Sequence, residues 1–237
     1  GIVYSIVFSV CGNAQGDVYA VGIQPGEGSG EGLALKYDGS AWRELNSDLV
    51  DGLVATWVST SGDIFVGTMD GKLLHYNGYY WTDISNDNSN CLWDIWGTSS
   101  TDVFAVGDGG TILHYNGSAT ITMTSGSSEG LWGVWCNSST NVFAVGDSGT
   151  ILHYNGSEWA EMTSGVEEVN IGGVWGNSSD VFSVGSSGTI LHRNGSVWDI
   201  MDSPSSSANL LRVWGNSSSN VFAVGDSGTI LHYDGDG

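Results

Sequence analysis

The sequence predicts an all-β fold, a six-bladed β-propeller with four antiparallel strands per blade. Three observations carry this: a repeat of fixed period, four strand-like segments within each copy, and no stretch with helical spacing of apolar residues. The residue that follows Leu in the segments LLHY, ILHY and ILHR is His75, His114, His153, His192 and His232, and Lys36 in LALKY holds the same place in the first copy. The steps run 39, 39, 39, 39 and 40 residues. Repeats of ~40 residues with several strands per unit are the signature of propeller blades. One domain is expected over 1–237, with blades near 1–46, 47–86, 87–125, 126–165, 166–204 and 205–237.

The fourth copy shows the elements in order. Strands are expected at 131–135 (LWGVW), 141–145 (NVFAV), 150–154 (TILHY) and 158–162 (EWAEM), with Asn155-Gly156 as a tight hairpin turn between the last two. Strands such as VFAV and TIL are apolar on both faces, as sheets sandwiched between neighbours require. The 37 glycines, with many Ser and Asn, supply the turns, and 11 Trp with 9 Tyr and 6 Phe supply the core. Pro25 and Pro204 both fall in expected loops. The chain stops at LHYDGDG, so the last blade is expected to lack its fourth strand, and its open edge is a candidate route for self-assembly.

Composition narrows the partners. With 26 acidic and 5 basic residues the formal charge is −21, which repels nucleic acid and anionic membrane surfaces alike. No apolar run approaches the ~18 residues of a membrane span, and no signal peptide is visible. The Asn-x-Ser sequons recur with the repeat and read as turns. Cys11, Cys91 and Cys136 are too few and too scattered for a disulfide framework.

The repeated residues read as scaffold. Strand three lies two strand spacings of ~4.8 Å beyond the first strand, too far from a propeller axis for the histidines to converge on one metal ion. They are expected to hydrogen-bond within or between blades. Asp108, Asp147 and Asp226, each two residues before Gly110, Gly149 and Gly228, are expected to accept backbone N–H groups and hold their hairpins. No metal and no cofactor is expected. Calcium is the one ion the acidic turns could serve, although no D-x-D-x-D loop occurs.

The motif DSGTIL resembles the Asp-box hairpin of sialidase-like propellers, with Ile-Leu replacing its Thr-Trp end and Ser186 breaking it in the fifth copy. The whole unit resembles the tandem VWG…DVFAVGDGGTILHYNGSxW repeats of secreted bacterial propeller proteins, and the VWGVN segments of tectonin-type lectins are a weaker likeness. The first resemblance implies an extracellular or cell-surface setting, a bacterial source and a binding role, without catalytic residues. Sialidase chemistry needs three converging arginines, whereas Arg43, Arg193 and Arg212 fall on different strands. No nucleophile elbow, metalloprotease helix or phosphate loop occurs.

What varies between copies points to recognition. Mid-strand-one positions read Ser9, Ala55, Asp94, Gly133, Gly173 and Arg212, and this column is expected to face the channel. The strand 4-to-1 loops diverge, and the first copy inserts IQPGEGSGEG (23–32) between strands two and three. In propeller topology both sets of loops emerge on one face. Candidate binding residues are therefore Glu27, Glu31, Asp87, Asn88, Asp94, Glu129, Glu167, Glu168 and Arg212. The expected function is a non-enzymatic module that binds a protein or surface partner through this face. The alternative is a lectin with repeated sugar sites, where Tyr79, Tyr80 and Trp81 could stack. A glycan-processing enzyme ranks third.

Overall fold

The computed structural model describes residues 5–24, 31–45, 49, 51–204 and 207–235. All regular structure is β, apart from single 3-10 turns, and it forms six antiparallel sheets. Five sheets have four strands in sequential order, and the last, among the described residues, has three. In blade 4 the strands are Leu131–Ser138, Asn141–Gly146, Ile151–Tyr154 and Trp159–Glu161. The first strand thus runs three residues past the expected end, and the fourth is shorter than expected. Thr150 belongs to the turn. In the last blade the third strand, Ile230–Tyr233, pairs with Asn220–Gly225.

The chain divides into two compact units, residues 1–123 and 124–237, each with three blades. Within each unit one joint recurs. The indole of Trp57 lies where a Cβ on Gly97 would be, 2.9 Å away; Trp135 stands the same way to Gly176, and Trp175 to Gly215 at 2.7 Å. The strand-one Trp of one blade therefore fills a notch on the strand-one Gly of the next, and any larger residue would collide with it. Trp135 is 3% exposed as a result. The Phe of strand two forms the second contact, and Phe65, Phe104 and Phe143 are fully buried. Phe65 takes Tyr115 of the next blade at 5.9 Å, and Phe182 takes Tyr233 at 5.6 Å. Aromatic pairs at 4.5–7 Å add to the apolar burial itself.

The repeated His completes each blade. Its Nε2 lies 2.7–2.8 Å from a side-chain oxygen at the start of strand two: Asp63, Asp102, Asn141, Asp180 and Asn220 partner His75, His114, His153, His192 and His232. The imidazole also packs on the strand-two Phe, as His114 does on Phe104 at 4.2 Å. In blade 1, Lys36 takes over both contacts, ion-paired to Asp17 at 3.0 Å and lying over the Tyr19 ring. The three cysteines form no disulfide, and burial pushes the Cys91 thiol up to about 12, which removes thiolate reactivity.

Candidate functional site

The turns between strands two and three and the loops between strand four and the next strand one meet at one rim of each blade. The meeting is made by backbone bonds. The N–H groups of Asp108, Asp147, Ser186 and Asp226 donate to the carbonyls of Cys91, Gly130, Asn170 and Asn209, each the residue before a first strand. Gly149 N–H donates to Val169 O at 2.7 Å, and Gly188 N–H to Ala208 O at 2.6 Å. The turn glycine is obligatory there: a Cβ on Gly149, at φ +72°, would meet Val166 O at 1.8 Å. In this way diverging loops are anchored to a rigid repeat.

The carboxylates of these turns do something different from what the sequence led us to expect. Rather than bracing their own hairpins, Asp108 Oδ1 accepts the indole N–H of Trp93 at 2.6 Å and Asp147 Oδ1 that of Trp132 at 2.7 Å. Asp226 accepts the backbone N–H and the amide of Asn209, at 3.1 and 3.0 Å. Each carboxylate thus ties its turn to the beginning of strand one. The hairpin itself is closed by a backbone bond, Thr150 N–H to Asp147 O, and needs no side chain.

The other expected binding residues are dispersed. Glu27 lies outside the described residues, as does most of the 23–32 insertion; Glu31 opens the third strand of blade 1 and is exposed. Asp87 is exposed, whereas Asn88 braces its own loop by donating to Gly71 O and Asn90 O. Asp94, in the first unit, is half-buried and pairs with Val106 across the sheet. Glu129 accepts the Ser148 hydroxyl at 3.2 Å, and Glu167 and Glu168 are exposed. A depression of about 630 Å³ opens between Ser148, Glu161, Met162 and Glu167, so Glu167 is the one expected acid that lines it. Among the described residues no cluster of three His, Cys, Asp or Glu could hold a metal ion.

Five cations stand in this acidic chain. Lys36 pairs with Asp17, Lys72 with Asp51 and Asp70, and Arg43 with Asp38. Arg193 lies over the Phe143 ring at 5.3 Å. Arg212, exposed on the first strand of the last blade, bonds only carbonyls among the described residues: its Nη1 donates to Gly172 O and Leu211 O, both at 2.9 Å. Next to it a depression of about 290 Å³ is lined by Trp132, Asn170, Ser186, Asn209 and Leu211. Of these neighbours none was singled out in the sequence as a binding residue. The signal that could have found them is the joint change of two positions: the Trp and Asp of blades 3 and 4 become Gly172 and Ser186 in blade 5.

No protein-family model matches the sequence, and no curated protein matches it. Solved structures do resemble it. YCF48 bound to D1 peptide is similar with a TM-score of 0.72 at 16% identity, over 98% of this chain and 79% of that one. YCF48 from Cyanidioschyzon merolae is similar with a TM-score of 0.69 at 14% identity, over 94% and 81%. At such identities the likeness establishes the fold: this chain is an all-β, six-bladed β-propeller whose last blade, among the described residues, has three strands.

Proposed function

We propose that this chain is a non-enzymatic binding module that captures a protein segment at the rim where the 2–3 turns and 4–1 loops meet, in an extracellular or cell-surface setting. The observation that carries the reading is the construction of that rim. Loops that differ from blade to blade are pinned to an invariant repeat by backbone bonds, which is how scaffolds present recognition surfaces. The similar YCF48 structure is described as bound to a D1 peptide, which supports a peptide partner for a propeller of this kind. The net charge of −21 favours a partner segment rich in Lys or Arg and steers it from a distance.

The test is binding of fluorescent 15-residue peptides, basic, neutral and acidic, followed by anisotropy at two salt concentrations. The basic set is expected to bind and to weaken as salt rises. Replacing Glu167 and Glu168 by Lys should weaken binding by about tenfold. Equal and salt-independent behaviour of all three sets would overturn the reading. A lectin remains a second reading because Tyr79 is 89% and Tyr80 63% exposed on one hairpin of blade 2. Binding to neutral glycans that Tyr79→Ala abolishes would favour it.

A further inference from the structure

In blades 3 and 4 a bonded Trp–Asp pair fills the angle between the first strand and the turn that follows strand two. In blade 5 Gly172 and Ser186 occupy those places, and the depression of about 290 Å³ lies there. Among its lining residues, Arg212, Asn170 and Ser186 offer hydrogen-bond donors, whereas the Asn209 amide is taken by Asp226. Arg212 commits only Nη1 among the described residues, leaving the N–H groups of Nε and Nη2 for a ligand. The Asn170 oxygen accepts Ser148 N–H at 3.5 Å, and its amide N–H₂ has no acceptor among the described residues. Ser186 Oγ accepts Asn170 N–H at 3.1 Å, so its own proton can be donated. Two donor groups beside a guanidinium that, among the described residues, has no carboxylate partner fit an anion with paired oxygens.

We propose that this depression binds the carboxylate of a hexuronic acid residue, with the sugar ring against the indole of Trp132. That indole is held by its bond to Asp147 and forms one wall, an apolar face of the kind on which a sugar's C–H groups pack. The volume suits one ring, being at the lower end of small-molecule sites. A peptide terminus is a poorer fit. It brings an N–H donor of its own, and the carbonyls beside Arg212 already accept from the guanidinium. The charge of −21 repels densely anionic chains, so the uronic residue is terminal or widely spaced in an otherwise neutral glycan. The site lies on the rim that the protein-capture reading uses but employs none of its acidic loop residues, so the two readings can fail separately.

The test is a titration with methyl β-glucuronoside and methyl β-glucoside, following the Trp132 indole N–H and the Asn170 amide by ¹⁵N–¹H NMR. The glucuronoside is expected to shift both signals at millimolar concentration, and the glucoside to bind at least about tenfold more weakly. Arg212→Gln should lose binding by at least about tenfold, with Arg212→Lys in between. Ser186→Asp, which restores the residue carried by the turns of blades 3, 4 and 6, should abolish binding by placing a carboxylate beside the guanidinium. If Arg212→Gln does not fold, Ser186→Asp decides alone, because Asp is native to equivalent turns. Equal shifts from both sugars, no shift from either, or unchanged affinity in Ser186→Asp would overturn the proposal. A response to acetyl-alanyl-leucine in place of the glucuronoside would overturn it in favour of a peptide carboxylate.

Discussion

Blades 4 and 5 are two copies of one repeat, and they solve the same packing problem with different residues. In blade 4 the Trp132–Asp147 bond closes the rim, Tyr154 ends the third strand, and Asn141 partners the His. In blade 5 the rim is left open by Gly172 and Ser186, Arg193 replaces the Tyr, and Asp180 partners His192. The replaced Tyr reaches back to the preceding blade, so the guanidinium of Arg193 lies on the Phe143 ring where blades 3 and 6 place a phenol on their neighbour. Trp198 also meets Phe143 edge-on at 6.1 Å. The lesson is that an aromatic ring on strand two, Phe in blades 2 to 6 and Tyr19 in blade 1, is the fixed point, and the groups packed on it exchange among imidazole, phenol, indole and cationic side chains.

Breaking that fixed point should have the largest effect. Phe143→Ala removes the platform for His153, Arg193 and Trp198 together and should cost about 3–5 kcal/mol by chemical denaturation. Phe182→Ala, which supports His192 and Tyr233, should cost less within the same range. Next comes the rim. Asp147→Ala removes the carboxylate that accepts the Trp132 indole N–H and should cost about 1–3 kcal/mol, whereas Ser186→Ala in blade 5 should cost about 1 kcal/mol or less. Equal losses at the two turns would show that the Trp–Asp bond contributes nothing.

Smaller effects follow from pH and backbone. Burial, and then the charge of Arg193, hold His153 below the usual histidine value. A His with a lowered folded-state value favours its neutral form, so the unfolded chain takes up the proton first as pH falls. Stability should therefore decline below about pH 6.5, the ordinary histidine value. Asn141→Asp supplies the carboxylate that blade 5 has at Asp180 and should raise the His153 value, which an NMR titration measures directly. Smallest of all, Ser148 sits at φ +54° where blade 3 carries Gly109 at φ +62°. Ser148→Gly should be neutral or stabilising by up to about 1 kcal/mol in thermal melts.

The period of the repeat made the fold legible, because His75 to His232 return at a fixed step and each returns between the same strand patterns. Side-chain partnerships were harder to read. The His pairs with a residue 12 positions earlier and the turn Asp with a Trp 15 positions earlier, and each crosses a strand, so no local turn rule contains them. The acidic loops were singled out because they vary and carry charge, yet the depression beside Arg212 exists through the loss of two side chains. A missing pair leaves no charged or aromatic letter to notice. It shows only as Gly172 and Ser186 standing where blades 3 and 4 carry Trp and Asp.

The Trp-into-Gly joint has one more consequence. Blade 5, with Trp175 and Gly176, carries both a plug for the blade after it and a socket for the blade before it, whereas blades 2 and 4 carry Val58 and Cys136 at the socket position. A gene segment encoding such a copy can be duplicated or deleted between two others without altering either neighbour. The surviving plug meets the next socket unchanged. The copy number of this repeat is thereby free to drift by whole units, and a copy so inserted can lose its rim residues, as blade 5 has, while its joints go on holding the row together.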